Sequence, residues 1–302
     1  MSEQIFEVPE RVLQKRREWA EGDAKRDAGL TEPADVVKYR DLSYGPFGEF
    51  NLLDIYRPEK AEGALPVIVN IHGGGYFYGD KELYRFYAMR LAQFGFAVVN
   101  FNYRLAPQYH FPAPLLDIHA VLGFMVAHAQ EYQLDLQNVF LIGDSAGAQL
   151  AMNYAVIDSD PGYAALLQLT KHAQIQVRAV SLACGIYDLR DRQKAITDDD
   201  ILSDYLGDLS LLTDEVTNAY AHIDANFPPA FVFSGKDDFL LLQCAPMAEH
   251  IRCCGAVAED KVFGLDAEGE VPHVFHVDMY SKPGQEANEA QIAFMKKHIV
   301  LP

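Results

Sequence analysis

The chain predicts an α/β class, with a mostly parallel, doubly wound sheet. Two observations carry this. From residue 65 onward, short apolar runs alternate with helical patterns, the order in which parallel strands are joined by crossover helices. In addition, two glycine-rich turns, at 72–79 and 143–147, directly follow such runs, and in open α/β sheets the strand ends are where ligands bind.

Taken in order, Pro9 to Ala28 is a charged helical pattern whose few apolar anchors are Val12, Leu13 and Trp19. So narrow a face needs another surface to cover, either a cleft that it lids or a second copy of the chain in a homodimer. Val36 to Tyr44 and Phe50 to Arg57, separated by Gly45-Pro46-Phe47-Gly48, read as an antiparallel hairpin leading into the sheet. There follow a strand at 65–72, a helix near 81–94, a strand at 96–103, a helix near 113–132, a strand at 138–144 and a helix from 145. Val177 to Cys184 and Ala230 to Ser234 read as later strands. Between them lies an irregular stretch, about 187–226, containing the acidic run Asp198-Asp199-Asp200. Its apolar residues Ile201, Tyr205, Leu206, Leu209, Leu211 and Leu212 either line a pocket or pack between this insertion and the core.

With 302 residues, half of them hydrophobic, the chain can bury a large core, as one α/β domain with an insertion or as two domains. The formal charge of -18 disfavours nucleic acid and anionic membrane as partners. No basic segment followed by an apolar one opens the sequence, and no apolar run approaches the length of a membrane span. The expectation is a soluble, cytoplasmic protein. The four cysteines, Cys184, Cys244, Cys253 and Cys254, lack C-x-x-C spacing and are expected to be reduced.

Gly143-Asp144-Ser145-Ala146-Gly147 is a G-x-S-x-G turn between the apolar run 138–142 and a good helix former, the setting of a nucleophile elbow. Glycines two residues to either side of Ser145 remove the Cβ atoms that would clash where strand and helix approach. A random chain of this length carries the pentapeptide about once in ten, so it needs support. Support comes from His72-Gly73-Gly74-Gly75, which follows the apolar run 66–71. Bare backbone there can aim amides at a developing oxyanion, with a further amide from the residue after the nucleophile; the candidates are Gly74, Gly75 and Ala146. A phosphate cradle fits poorly, since neither G-x-G-x-x-G nor the Lys-Ser/Thr pair of a P-loop is present. No H-E-x-x-H occurs and Asp198-Asp199-Asp200 has no histidines at ligand spacing, so no metal is expected. Nothing selects a carboxylate pair for glycoside hydrolysis.

Together with Asn102-Tyr103-Arg104-Leu105-Ala106-Pro107 and Phe111-Pro112-Ala113, these motifs make the chain resemble, from about residue 65 to the C-terminus, the hormone-sensitive lipase family, which includes bacterial acetyl esterases and carboxylesterases. The resemblance implies the α/β-hydrolase fold, a Ser/Asp/His triad, no cofactor and a helical cap built partly from N-terminal helices. It divides the chain into cap helices at 1–35 and a catalytic domain at 36–302, with a second cap candidate at 187–226.

A serine hydroxyl needs a base, and the base an orienting carboxylate, in the chain order Ser, acid, His. Asp237 and Asp238 both follow the strand at 230–234. The family's acid motif is Asp-Pro-Leu, so Asp238-Phe239-Leu240 selects Asp238, with phenylalanine where the family has proline. Of the ten histidines, His250, His273, His276 and His298 come after it. The family pattern His-Gly-Phe is approximated by His273-Val274-Phe275 and selects His273. His72 is read as a brace for the glycine loop. Arg104 is read as tying loops and a buried carboxylate such as Asp117, and Ala106-Pro107 and Phe111-Pro112 as candidate cis bonds.

The reading is therefore a serine carboxylesterase for short acyl esters: Ser145 as nucleophile, His273 as base, Asp238 as its orienter, and Gly74, Gly75 and Ala146 holding the oxyanion. Tyr76, Phe77 and Tyr78 beside those glycines are expected to contact substrate and to disfavour long tails. The partner is a small-molecule ester. The alternatives are an amidase, arylformamidase, lactonase or carbohydrate deacetylase with the same triad, or a ligand-binding protein without turnover.

Overall fold

The computed structural model describes residues 6–190 and 199–301. Their centre is an eight-stranded sheet whose strands are β1 (Val36–Ser43), β2 (Leu52–Pro58), β3 (Leu65–Ile71), β4 (Ala97–Phe101), β5 (Leu134–Asp144), β6 (Val177–Ala183), β7 (Ala230–Gly235) and β8 (Ala258–Phe263). The spatial order is β1-β2-β4-β3-β5-β6-β7-β8. β1 and β2 pair antiparallel as the expected hairpin, and β2 pairs antiparallel with β4. All strands from β4 to β8 are parallel.

The helices follow the alternation: α1 (Glu10–Arg26), α2 (Arg85–Ala92), α3 (Ala113–His128), α4 (Ala146–Ser159), α5 (Pro161–Leu166), α6 (Asp199–Leu206), α7 (Leu241–Cys253) and α8 (Lys282–Lys297). The central strands read as continuous apolar runs because both faces are covered. On β5, Val139 and Leu141 point into one core with α3, α4 and α7, while Phe140 and Ile142 point into the other with α2 and α8. Helix α4 is buried from Ala146 to Ile157, which explains its lack of a polar stripe.

Several boundaries shift for local reasons. Helix α2 begins at Arg85 because Asp80 Oδ1 takes the Leu83 amide at 2.9 Å and holds a turn there. β5 starts at Leu134, pairing with Leu65 before a register shift. Two elements carried little signal in the sequence. The short α5 is capped by the Asp160 carboxylate, which accepts from the Gly162 and Tyr163 amides, with Pro161 leading the helix. β8 is a sheet-edge strand, Ala-Glu-Asp-Lys-Val-Phe, whose middle residues are exposed. Charges on an edge strand suit its position and erase the apolar signal.

Within 187–226 the structure holds α6 and three 3₁₀ turns, Leu209–Thr213, Glu215–Thr217 and Ala219–His222. Residues 191–198 of this stretch lie outside the described residues, and with them Asp198 of the acidic run. Tyr205, Leu206 and Leu212 are buried in the main core, and Ile201, Leu209 and Leu211 pack against it. Both flagged prolyl bonds, Ala106-Pro107 and Phe111-Pro112, are cis. Among the described residues, no helix is long and apolar enough to cross a membrane.

Candidate active site

The glycine loop follows β3, Ser145 follows β5 and Asp238 follows β7, all at carboxyl ends in the parallel part of the sheet, and His273 lies on the loop between β8 and α8. Ser145 sits between β5 and α4 with φ 53° and ψ -120°, a left-handed backbone that a non-glycine residue adopts only under constraint. The constraint is visible. A Cβ on Gly143 would collide with the Gly147 carbonyl, and one on Gly147 with the carbonyls of Ile71 and His72. The Ser145 amide donates to the Ala183 carbonyl at 2.9 Å, fixing the turn to β6. Ser145 is half-buried, and its Oγ makes no hydrogen bond with a described residue.

Gly74 (φ 111°) and Gly75 (φ 58°) adopt left-handed backbone, and a side chain on Gly74 would strike the Tyr78 carbonyl. Among the described residues, the amides of Gly74, Gly75 and Ala146 have no acceptor within the protein. His72 is fully buried, stacks on Tyr103 at 4.1 Å, and places Nδ1 2.7 Å from the Gly73 carbonyl. Burial lowers its pKa to about 4, against that hydrogen bond, so the ring is neutral at pH 7 with Nδ1–H donating. This is the bracing position expected of it.

A second brace had no sequence signal. The Gly73 amide donates to the Tyr84 hydroxyl at 3.1 Å, and Tyr84 in turn donates to Asp144 Oδ2 at 2.8 Å. The residue before Ser145 is thereby linked to the glycine loop. Burial pushes the Asp144 carboxyl up to about 6, opposed by the Tyr84 hydrogen bond and by His273.

Of the two candidate acids, Asp238 is buried and Asp237 exposed. His273 Nδ1 lies 2.8 Å from Asp238 Oδ1, which also accepts the Leu240 amide at 2.8 Å; Oδ2 takes the Ser234 hydroxyl at 2.6 Å. Burial acts to raise the Asp238 pKa, but the His273 hydrogen bond and charge, with Ser234 and Leu240, hold it down at about 2. Asp237 instead accepts the Val271 amide at 2.9 Å and donates its own to Val271 at 3.2 Å, anchoring the loop ahead of His273. His276 is a core residue: buried against the edges of Tyr87 and Phe233, it is pushed down to about 3 chiefly by burial. His250 is occupied with the Tyr220 carbonyl at 2.9 Å.

The Ser145 turn and the His273–Asp238 pair are neighbours through β6. Cys184 follows the Ala183 that binds Ser145, and its Sγ lies within 4.8 Å of ligand atoms of both Asp238 and His273. Those three side chains are a poor metal set. Both Asp238 oxygens are already taken, and burial holds the Cys184 thiol protonated. Of the positive-φ residues other than glycine, Tyr76, Ser145, Cys184 and Val274 all fall on this face, as expected of strain concentrated at a functional site. Val274 stands where the resembling pattern has glycine, and φ 60° there explains that glycine.

Helix α1 lies across the glycine loop. Trp19 packs on Phe77 at 4.9 Å, and its ring comes within 3.7 Å of where a Cβ on Gly75 would lie. Arg16 Nε donates to the Phe77 carbonyl at 2.7 Å, and Tyr78 donates to Asp23 at 2.6 Å. Arg11 forms a two-pronged ion pair with Asp204 of α6, Nη1 to Oδ2 at 2.7 Å, tying α1 to the 187–226 stretch. Tyr76 is buried and stacks on Tyr205 of α6 at 3.8 Å, and neither hydroxyl has a partner among the described residues. Arg104 is structural as read: it is buried, bonds Asp117 and the Ala113 carbonyl, and lies over Phe47.

A mostly parallel eight-stranded sheet with a strained serine elbow, a bare-amide loop and a His–Asp pair at its strand ends defines an α/β-hydrolase. More specifically, residues 53–247, over half of the sequence, match the BD-FAE family model, and the chain belongs to that family. It is 30% identical over 218 residues to the probable carboxylic ester hydrolase LipM of Mycobacterium tuberculosis, covering 68% of this chain and 49% of that one. Over 249 residues it is 28% identical to esterase LipQ of the same organism, covering 78% and 56%. The chain thus spans about half the length of the curated relatives it matches. Among solved structures, esterase B from Lactobacillus rhamnosis superposes with a TM-score of 0.85 at 26% identity, covering 95% of each chain. The resemblance to hormone-sensitive lipase-type esterases stands on these matches as well as on the motifs.

Proposed function

We propose that this protein is a serine carboxylesterase that hydrolyses short-chain acyl esters through Ser145, His273 and Asp238. The observation that carries the reading is the His273–Asp238 hydrogen bond at the end of β7, beside the strained Ser145 turn. With Nδ1–H donated to a carboxylate, Nε2 is left as the basic nitrogen. Ser145 Oγ attacks the ester carbonyl and its proton passes to Nε2, while Asp238 stabilises the imidazolium. The amides of Gly74, Gly75 and Ala146 receive the oxyanion, having no protein acceptor to give up. Collapse breaks the bond to the alcohol oxygen, which takes the proton from Nε2. Water, activated by the same nitrogen, then releases the acid and restores Ser145.

Helices α1 and α6 act as a cap over the glycine loop, with Tyr76, Phe77 and Tyr78 as the loop's aromatic wall. The crowding of Tyr76 by Tyr205, and of Phe77 by Trp19, favours small acyl groups. Esterase B from Lactobacillus rhamnosis, 26% identical, has also been solved with a C4-C4 SN3 tributyrin phosphonate. Hydrolysis of p-nitrophenyl esters is expected to be fastest for acetyl and butyryl and to fall steeply toward decanoyl. A maximum at decanoyl would contradict the short-chain assignment while leaving the chemistry in place.

A further inference from the structure

We infer that Phe239 is the contact surface for the leaving alcohol, and that it favours esters of aromatic alcohols. The inference rests on the proposed role of His273 as the proton carrier. Phe239 stands where the resembling acid motif has proline, directly after Asp238. Its ring packs against His273 at 4.3 Å between centroids, tilted by 44°. Unlike most large apolar side chains here, it is 52% exposed, and Leu242, close by in sequence at the start of α7, is 71% exposed. Apart from His273, no aromatic ring among the described residues packs on it. An apolar ring left half in water beside the site gains contact area when a substrate group covers it.

Geometry then decides which part of the substrate does so. The proton on His273 Nε2 must reach the leaving oxygen, so the alcohol passes within hydrogen-bond reach of that imidazole. A ring lying on the same imidazole is therefore beside the alcohol portion. The serine bonds the reacting carbon and the oxyanion amides hold its oxygen, so the acyl chain leaves that carbon along a bond other than the one to the alcohol oxygen. A planar aromatic alcohol can stack on or meet Phe239 edge-on, which a short alkyl alcohol cannot.

The test compares kcat/KM for benzyl acetate and ethyl acetate, which on an acyl-enzyme route reports binding and acylation; because the two share the acetyl group, their ratio reads the alcohol side. Phe239→Ala is expected to lower the benzyl-to-ethyl ratio of kcat/KM about fivefold, with Phe239→Leu falling in between. The ethyl acetate to ethyl butyrate ratio, which reads the acyl side, is expected to stay within twofold. An unchanged benzyl-to-ethyl ratio in both variants overturns the inference, even if both esters slow together, since equal slowing marks support of His273 only. A shift in the acyl ratio instead overturns the assignment to the alcohol side. If the wild-type protein hydrolyses neither ester and takes up no serine-directed phosphonate, the esterase reading itself falls, and this inference with it.

Discussion

Ser145→Ala is expected to lower kcat on p-nitrophenyl acetate by about 10⁵-fold or more, while leaving the fold intact. The size follows from the unit behaviour of a nucleophile and its base, where loss of the serine removes the covalent route and leaves only oxyanion binding and proximity. The fold is expected to survive because Ser145 Oγ has no hydrogen bond to lose. The left-handed backbone at φ 53° is imposed by Gly143, Gly147 and the hydrogen bond from the Ser145 N–H to the Ala183 carbonyl, none of which the substitution touches. The thermal midpoint is thus expected to stay near the wild-type value. A variant that is folded and retains more than about 1% of the wild-type rate would remove Ser145 from the chemistry.

The second large effect separates two adjacent carboxylates. Asp238→Asn is expected to lower kcat about 10³- to 10⁴-fold, because an amide holds the imidazole in the wrong tautomer and no longer stabilises its cation. Asp237→Asn, which keeps an oxygen for the Val271 amide, is expected to stay within about threefold. The two carboxylates also differ in acid. Asp238 is held at about 2, below its ordinary 3.8, and so stabilises the folded state above pH ~4 and loses that contribution as pH falls toward 2. The contribution is about 2 kcal/mol. The stability gap between wild type and Asp238→Asn, read from urea midpoints, is therefore expected to narrow across that window. A gap that widened on acidification would contradict the ionised, hydrogen-bonded Asp238.

What could be read in the sequence was whatever a residue type does on its own. Gly143 and Gly147 are dictated by backbone collisions on either side of Ser145, so the turn is legible in the sequence. The apolar runs of β3 to β7 were visible because those strands are covered on both faces. The pair Asp237 and Asp238 was not separable by composition, because both follow one strand. It is burial and the position of His273 that distinguish them. Three supports carried no signal: Tyr84 reaches Asp144 across 60 residues, Ser234 meets Asp238 only through the turn after β7, and the edge strand β8 wears charges. Phe239 was legible only as a departure from a pattern. Its packing against His273 gives that departure a physical content.

The most direct test is intact-mass analysis after treatment with a 4-nitrophenyl alkylphosphonate, followed by peptide mapping. The Ser145 oxygen should form the bond to phosphorus as 4-nitrophenolate leaves. The expected result is one adduct per chain, mapped to Ser145, appearing in step with loss of esterase activity and absent from Ser145→Ala. Activity that survives full labelling, or an adduct that maps to another residue, would contradict the assignment of Ser145 as the nucleophile.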